Sequence, residues 1–128
     1  MSQKNKLAVY LAGGFRSGWQ EVVKAQATGI EMLDPSEHSL EDPAEYTNWD
    51  LAAIRRADIV LAYMERDNPG GYSLALEVGY AHALGKRVFF VEEHPSEQRA
   101  RYFEMVRQVS DKLFTSLEEA VAELVRLT

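Results

Sequence analysis

Two carboxylates stand on stretches that otherwise read as apolar helix faces, and paired carboxyl groups in unlike surroundings are what glycoside chemistry requires. Glu77 has Leu74, Val78 and Ala81 beside it and no Lys or Arg three or four positions away, so it points along an apolar stripe. Asp50 interrupts the stripe formed by Tyr46, Ala53, Ile54 and Ala57 in the same way. One such carboxyl group can attack or stabilise an electron-poor carbon while the other manages a proton at the leaving group. The alternative for Glu77 is structural, a carboxylate accepting hydrogen bonds from a backbone turn or from an Arg of another segment. The residues alone leave both open.

A glycine-rich loop, Gly13-Gly14-Phe15-Arg16-Ser17-Gly18, follows the first apolar run and opens a helix. Its backbone N–H groups and Arg16 can hold a phosphate or a sugar hydroxyl, or the loop is simply a tight strand-to-helix turn. It matches neither GxGxxG nor the P-loop ending GK[ST], which argues against a dinucleotide or ATP site. Tyr10, Phe15, Trp19, Tyr46, Trp49 and Tyr72 supply aromatic rings near the same edge, enough to sandwich a planar base, although each singly is equally well explained as core. His82 falls on a different helical face from Glu77 and reads as a surface or packing histidine. The charged segment 96–107 reads as a solvated helix face.

The elements that must position these groups alternate. Near-continuous apolar runs at 7–12, 30–33, 58–64, 87–91 and 112–114 read as strands buried on both faces. Between them helices are expected over 19–27, 44–57, 72–84 and 97–109, with a last one over 117–127, a polar loop at 35–43 and a turn at 67–71. This order predicts an α/β fold: a five-stranded parallel sheet with helices on both faces, Rossmann- or flavodoxin-like, whose ligands bind at the carboxyl ends of the strands.

Its 128 residues suit a single domain over 1–128, and 46% hydrophobic with 27% charged residues is the composition of a soluble folded chain. A formal net charge of −6 opposes binding to a nucleic-acid polymer. The absence of cysteine removes disulfides, thiolate metal sites and thiol nucleophiles. The histidines at 38, 82 and 94 form no HxxxH spacing, so no metal site is expected. No apolar run is long enough to span a bilayer, and the reading is of a cytoplasmic protein with no membrane partner.

Three stretches carry a resemblance to a known family. Val9-Tyr10-Leu11-Ala12-Gly13-Gly14-Phe15, then Asn48-Trp49-Asp50-Leu51 running into Ile54-Arg55-Arg56-Ala57-Asp58-Ile59-Val60, and above all Ala75-Leu76-Glu77-Val78-Gly79-Tyr80-Ala81-His82-Ala83-Leu84-Gly85-Lys86 resemble the nucleoside 2-deoxyribosyltransferases. That family also includes nucleoside 5′-monophosphate N-glycosidases. The resemblance implies that Glu77 is a nucleophile forming a covalent deoxyribosyl intermediate, that Asp50 contacts sugar or base and assists proton transfer, and that Tyr10 orients Glu77. It implies substrate contacts from Gly13, Gly14, Phe15, Arg16, Trp19, Tyr46, Trp49, Asn68, Gly71 and Ser73. It further implies a nucleoside or nucleotide and a free nucleobase as partners, no metal or organic cofactor, and a homo-oligomer of two or more copies. The sequence departs from the family where transferases carry an Asp six residues before the nucleophile: that position is Gly71, so base contacts pass to Asp67, Asn68 or Ser73. Transfer of 2-deoxyribose between nucleobases is the first reading, hydrolysis of the N-glycosidic bond of a nucleoside or its 5′-monophosphate the second, and a catalytically silent nucleotide-binding module on the same fold the third.

Overall fold

The computed structural model describes residues 6–68 and 71–128; Pro69 and Gly70, in the expected turn, lie outside the described residues. Five strands, β1 (Ala8–Gly13), β2 (Glu31–Leu33), β3 (Ile59–Met64), β4 (Arg87–Glu92) and β5 (Lys112–Phe114), form one all-parallel sheet in the order β2-β1-β3-β4-β5. The central strands are apolar without alternation because both of their faces are covered.

Helices α1 (Trp19–Gln26) and α6 (Leu117–Arg126) cover one face of the sheet, where Val9, Leu11, Leu61, Phe89 and Val91 pack against Trp19, Val23 and Leu124. Helices α2 (Pro43–Arg56), α3 (Tyr72–Ala83) and α5 (Glu104–Val109) cover the other. There Tyr10, Ala12, Val60, Met64 and Phe90 meet Ile54, Leu74, Val78 and Val106. Capping fixes where α2 begins, since the Asp42 carboxylate accepts from Glu45 N–H and Pro43 occupies the first turn. Strand order reverses beside β1, so α1 leaves toward β2 on one face and α2 returns over the other. A crevice opens at the carboxyl ends of β1 and β3 as a result.

Two expectations are corrected. The helix expected over 97–109 is broken into α4 (Glu97–Tyr102) and α5 at Phe103, whose backbone leaves helical geometry (φ −105°, ψ 17°). Its buried ring stacks on Phe90, with centroids 6.2 Å apart. The charges of this segment are also not all solvated. Arg99 donates to the backbone carbonyls of Glu65, Arg66 and Glu93, and Arg107 pairs with the buried Glu92, so both tie the segment to the ends of β3 and β4.

Two glycines are required by close approach. A Cβ on Gly13 (φ +154°) would stand 2.7 Å from the carbonyl oxygen of Tyr63. One on Gly71 (φ +95°) would stand 2.8 Å from both Met64 Sδ and Phe103 Cζ. Gly71→Ala is therefore expected to lower the unfolding free energy by about 2–4 kcal/mol, from positive-φ strain plus overpacking. Gly79→Ala, in the interior of α3 with open space around it, should raise it by about 0.5–1 kcal/mol. Urea unfolding of the two variants checks the opposite signs.

Candidate active site

Tyr10 is fully buried on β1, on the face covered by α2 and α3, and its hydroxyl donates to Glu77 Oε2 at 2.6 Å. Glu77 lies on α3 between the buried Leu74 and Ala81, which bring its side chain to the sheet rather than to solvent; it is 8% exposed. Burial pushes its carboxyl up to about 7, and the negative charge of Asp50 adds to that push while the Tyr10 hydrogen bond opposes it. The Tyr10 hydroxyl is itself raised far above the ordinary phenol range, by burial and then by the charge of Glu77. At neutral pH the protein thus keeps a carboxylate that readily exchanges its proton, steadied by a phenol that keeps its own.

Asp50, on α2, has its carboxyl raised by burial, against which His38 acts. His38 Nε2 lies 3.2 Å from Asp50 Oδ1, and the Leu40 N–H donates to His38 Nδ1 at 3.0 Å. The ring proton therefore sits on Nε2, facing Asp50. Edge-on contact with Trp49, at 4.8 Å between centroids, holds the ring in place.

These groups border a cavity of about 480 Å³, a volume that suits a small-molecule ligand. Glu77, Asp50 and His38 form its acidic end, and the β1–α1 loop forms one wall through Gly13, Gly14 and Phe15. The start of α3 forms another, with Gly71 as its cap residue and no side chain capping its first N–H groups. Tyr46 and the exposed ring of Phe15 stand at the rim.

Of the residues expected at the site, Gly13, Gly14, Phe15, Tyr46, Asp50, Asn68, Gly71, Ser73 and Glu77 come together around the cavity, and Tyr10 stands behind Glu77. Three do not reach the lining. Trp19 is 2% exposed in the core of the opposite face, and its Nε1 donates to Gly14 O at 2.8 Å, so it braces the loop from behind. Trp49 is half-buried beneath His38, and Arg16 is exposed on the loop. Sequence reasoning missed His38, Leu40, Pro35 and Leu74 as lining residues. His38 sits in a loop with no periodicity, twelve residues from its partner, and left no local signal.

Elsewhere among the described residues, Glu21, Asp34 and Glu37 approach closely enough to share a cation, but Lys24 Nζ already lies 2.8, 2.8 and 2.5 Å from them. No described helix is long and apolar enough to cross a membrane.

The raised Glu77 carboxyl has a consequence for stability. Between its ordinary value of 4.5 and about 7 the folded chain binds more protons than the unfolded one, so unfolding free energy falls as pH rises through that window. Glu77→Gln carries no such penalty and should match the wild type near pH 4.5. At pH 8 it should exceed it, by at most about 3 kcal/mol. Urea unfolding at the two pH values decides; an equal difference at both would contradict a raised Glu77.

Comparison with known proteins agrees with this architecture. Residues 6–94 match the family described as nucleoside 2-deoxyribosyltransferase like. Among solved structures, a 2-desoxiribosyltransferase from Leishmania mexicana superposes with a TM-score of 0.72 at 22% identity, covering 94% of this chain and 97% of that one. A CMP N-glycosidase from Clostridium botulinum superposes with a TM-score of 0.64 at 20% identity, covering 94% and 99%. No curated protein sequence matches the chain.

Proposed function

The chain belongs to the nucleoside 2-deoxyribosyltransferase-like family, and on that premise we propose that it transfers 2-deoxyribose between nucleobases through a covalent ester on Glu77. The observation that carries the reading is the buried Glu77 carboxylate, held by the Tyr10 hydroxyl at 2.6 Å and sharing one cavity with Asp50. A Glu77 oxygen attacks C1′ of the sugar as the C1′–N bond breaks, and the base leaves with that electron pair and takes up a proton given by Asp50, which the step leaves ionised. A nitrogen of a second base then attacks C1′ and returns its N–H proton to Asp50, the ester C–O bond breaks, and Glu77 is restored as carboxylate with overall retention at C1′. Phe15 and Tyr46 offer rings to the base, and Asn68 and Ser73 offer polar groups where transferases carry the Asp replaced here by Gly71. The same reading expects a homo-oligomer, with the exposed Tyr72 and Leu76 of α3 on the covered face.

A second reading, N-glycosidase action on a nucleoside or its 5′-monophosphate, is favoured by one feature. The uncapped N–H groups at the start of α3, with Ser73, border the cavity and suit a phosphate. Water then replaces the second base as acceptor.

One chromatographic experiment separates these readings. Purified protein is incubated with deoxyinosine and excess adenine, and in parallel with CMP and dCMP. Transfer is expected to release hypoxanthine and form deoxyadenosine together. Free base with no new nucleoside would replace transfer by hydrolysis, and binding without turnover would leave a non-catalytic nucleotide-binding module. With Glu77 acting as a carboxylate, kcat/KM should rise with pH through about 7. Glu77→Ala should lower it by more than about 10⁴-fold.

A further inference from the structure

We infer that His38 is a positioning residue for Asp50, fixing one carboxylate oxygen so that the other is presented to the substrate, and that it transfers no proton itself. The inference rests on the reading that Asp50 acts on the substrate. It follows from how both ring nitrogens are used. Nδ1 accepts the Leu40 N–H at 3.0 Å and Nε2 faces Asp50 Oδ1 at 3.2 Å, so neither is left for a substrate atom. The backbone hydrogen bond sets the tautomer, the Trp49 edge sets the ring plane, and the side chain is only 12% exposed. Asp50 Oδ2 has no protein partner among the described residues, while Oδ1 is held.

Such a clamp has a purpose in this cavity. Asp50 faces Glu77 from α3 and Tyr10 from β1 as well as His38, and of these Glu77 repels it when both carboxyl groups are ionised. Without a donor, Asp50 would turn its charge away from Glu77 or take up a proton. His38 keeps it in one orientation and works against the burial that raises its carboxyl, so that Asp50 can release a proton to the leaving base and take one back from the next.

Two isosteric substitutions divide the roles of the ring. His38→Asn places an amide oxygen near Nδ1, keeping an acceptor for the Leu40 N–H, and reaches no farther. His38→Gln places an amide N–H near Nε2, restoring a donor to Asp50. The first readout needs no turnover: carboxyl carbon-13 NMR titration of Asp50 in the three proteins. The midpoint should move to higher pH in His38→Asn and return toward wild type in His38→Gln. The second is turnover of deoxyinosine, where His38→Asn should lower kcat by about 10- to 100-fold with KM little changed, inside the range of a general acid's contribution. His38→Gln should recover most of that loss. Identical Asp50 titration in wild type and His38→Asn would overturn the inference. A moved titration in a protein that turns over no nucleoside would leave the positioning role standing and remove the transferase reading; turnover with an unmoved titration would do the reverse. Should His38→Asn fail to fold, His38→Ser, which also keeps an acceptor for Leu40, makes the same comparison.

Discussion

A carboxylate kept out of water without a cation beside it is the constraint around which this protein is arranged. Glu77 is surrounded by Leu74, Val78 and the sheet, and its hydrogen-bond partner is a phenol, which donates but brings no charge. An Arg or Lys in that place would hold the carboxyl ionised and occupy its oxygens. Tyrosine leaves its basicity high and one oxygen uncommitted. The arrangement demands a rigid backbone, because the Tyr10–Glu77 contact joins the middle of β1 to the second turn of α3. Both elements are fixed by packing rather than by the contact itself, which makes the site a product of the core.

The wall opposite is held by a different means. The Gly14 carbonyl accepts from Trp19 Nε1 and from Gln20 Nε2, and the Ser17 hydroxyl bonds to the buried Glu65. A loop held by three hydrogen bonds at Gly14 and Ser17 cannot easily turn its peptides over, so the cavity rim is set before a ligand arrives. Trp19 serves the site from the far face of the sheet, through its indole N–H to the Gly14 carbonyl, without lining the cavity itself.

The sheet was legible in the sequence because strands covered on both faces must be apolar throughout, and Glu77 and Asp50 stood out because each breaks a stripe. What the sequence does not carry is which face each helix covers. Trp19 looks like a site residue by its distance from Gly13 and Gly14, yet α1 departs toward β2 and takes it to the opposite side. The break at Phe103 is equally invisible, since 97–109 is helical by local pattern and the cause is a ring drawn onto Phe90. Arg99 reads as a surface charge until the carbonyls of Glu65, Arg66 and Glu93 converge on it from over thirty positions and six positions away. His38 pairs across a loop, where no period constrains the spacing.

The Tyr10–Glu77 bond also closes a loop of 67 residues, with β2, α2 and β3 inside it. Contacts so distant along the chain form only once the strands between them have been ordered, and they are among the slower ones to assemble. In a half-folded chain Glu77 is an ordinary solvated glutamate, with nothing to distinguish it from the other acidic residues. The environment that raises the Glu77 carboxyl is therefore a product of the completed fold, and a chain caught during synthesis or repair does not contain it.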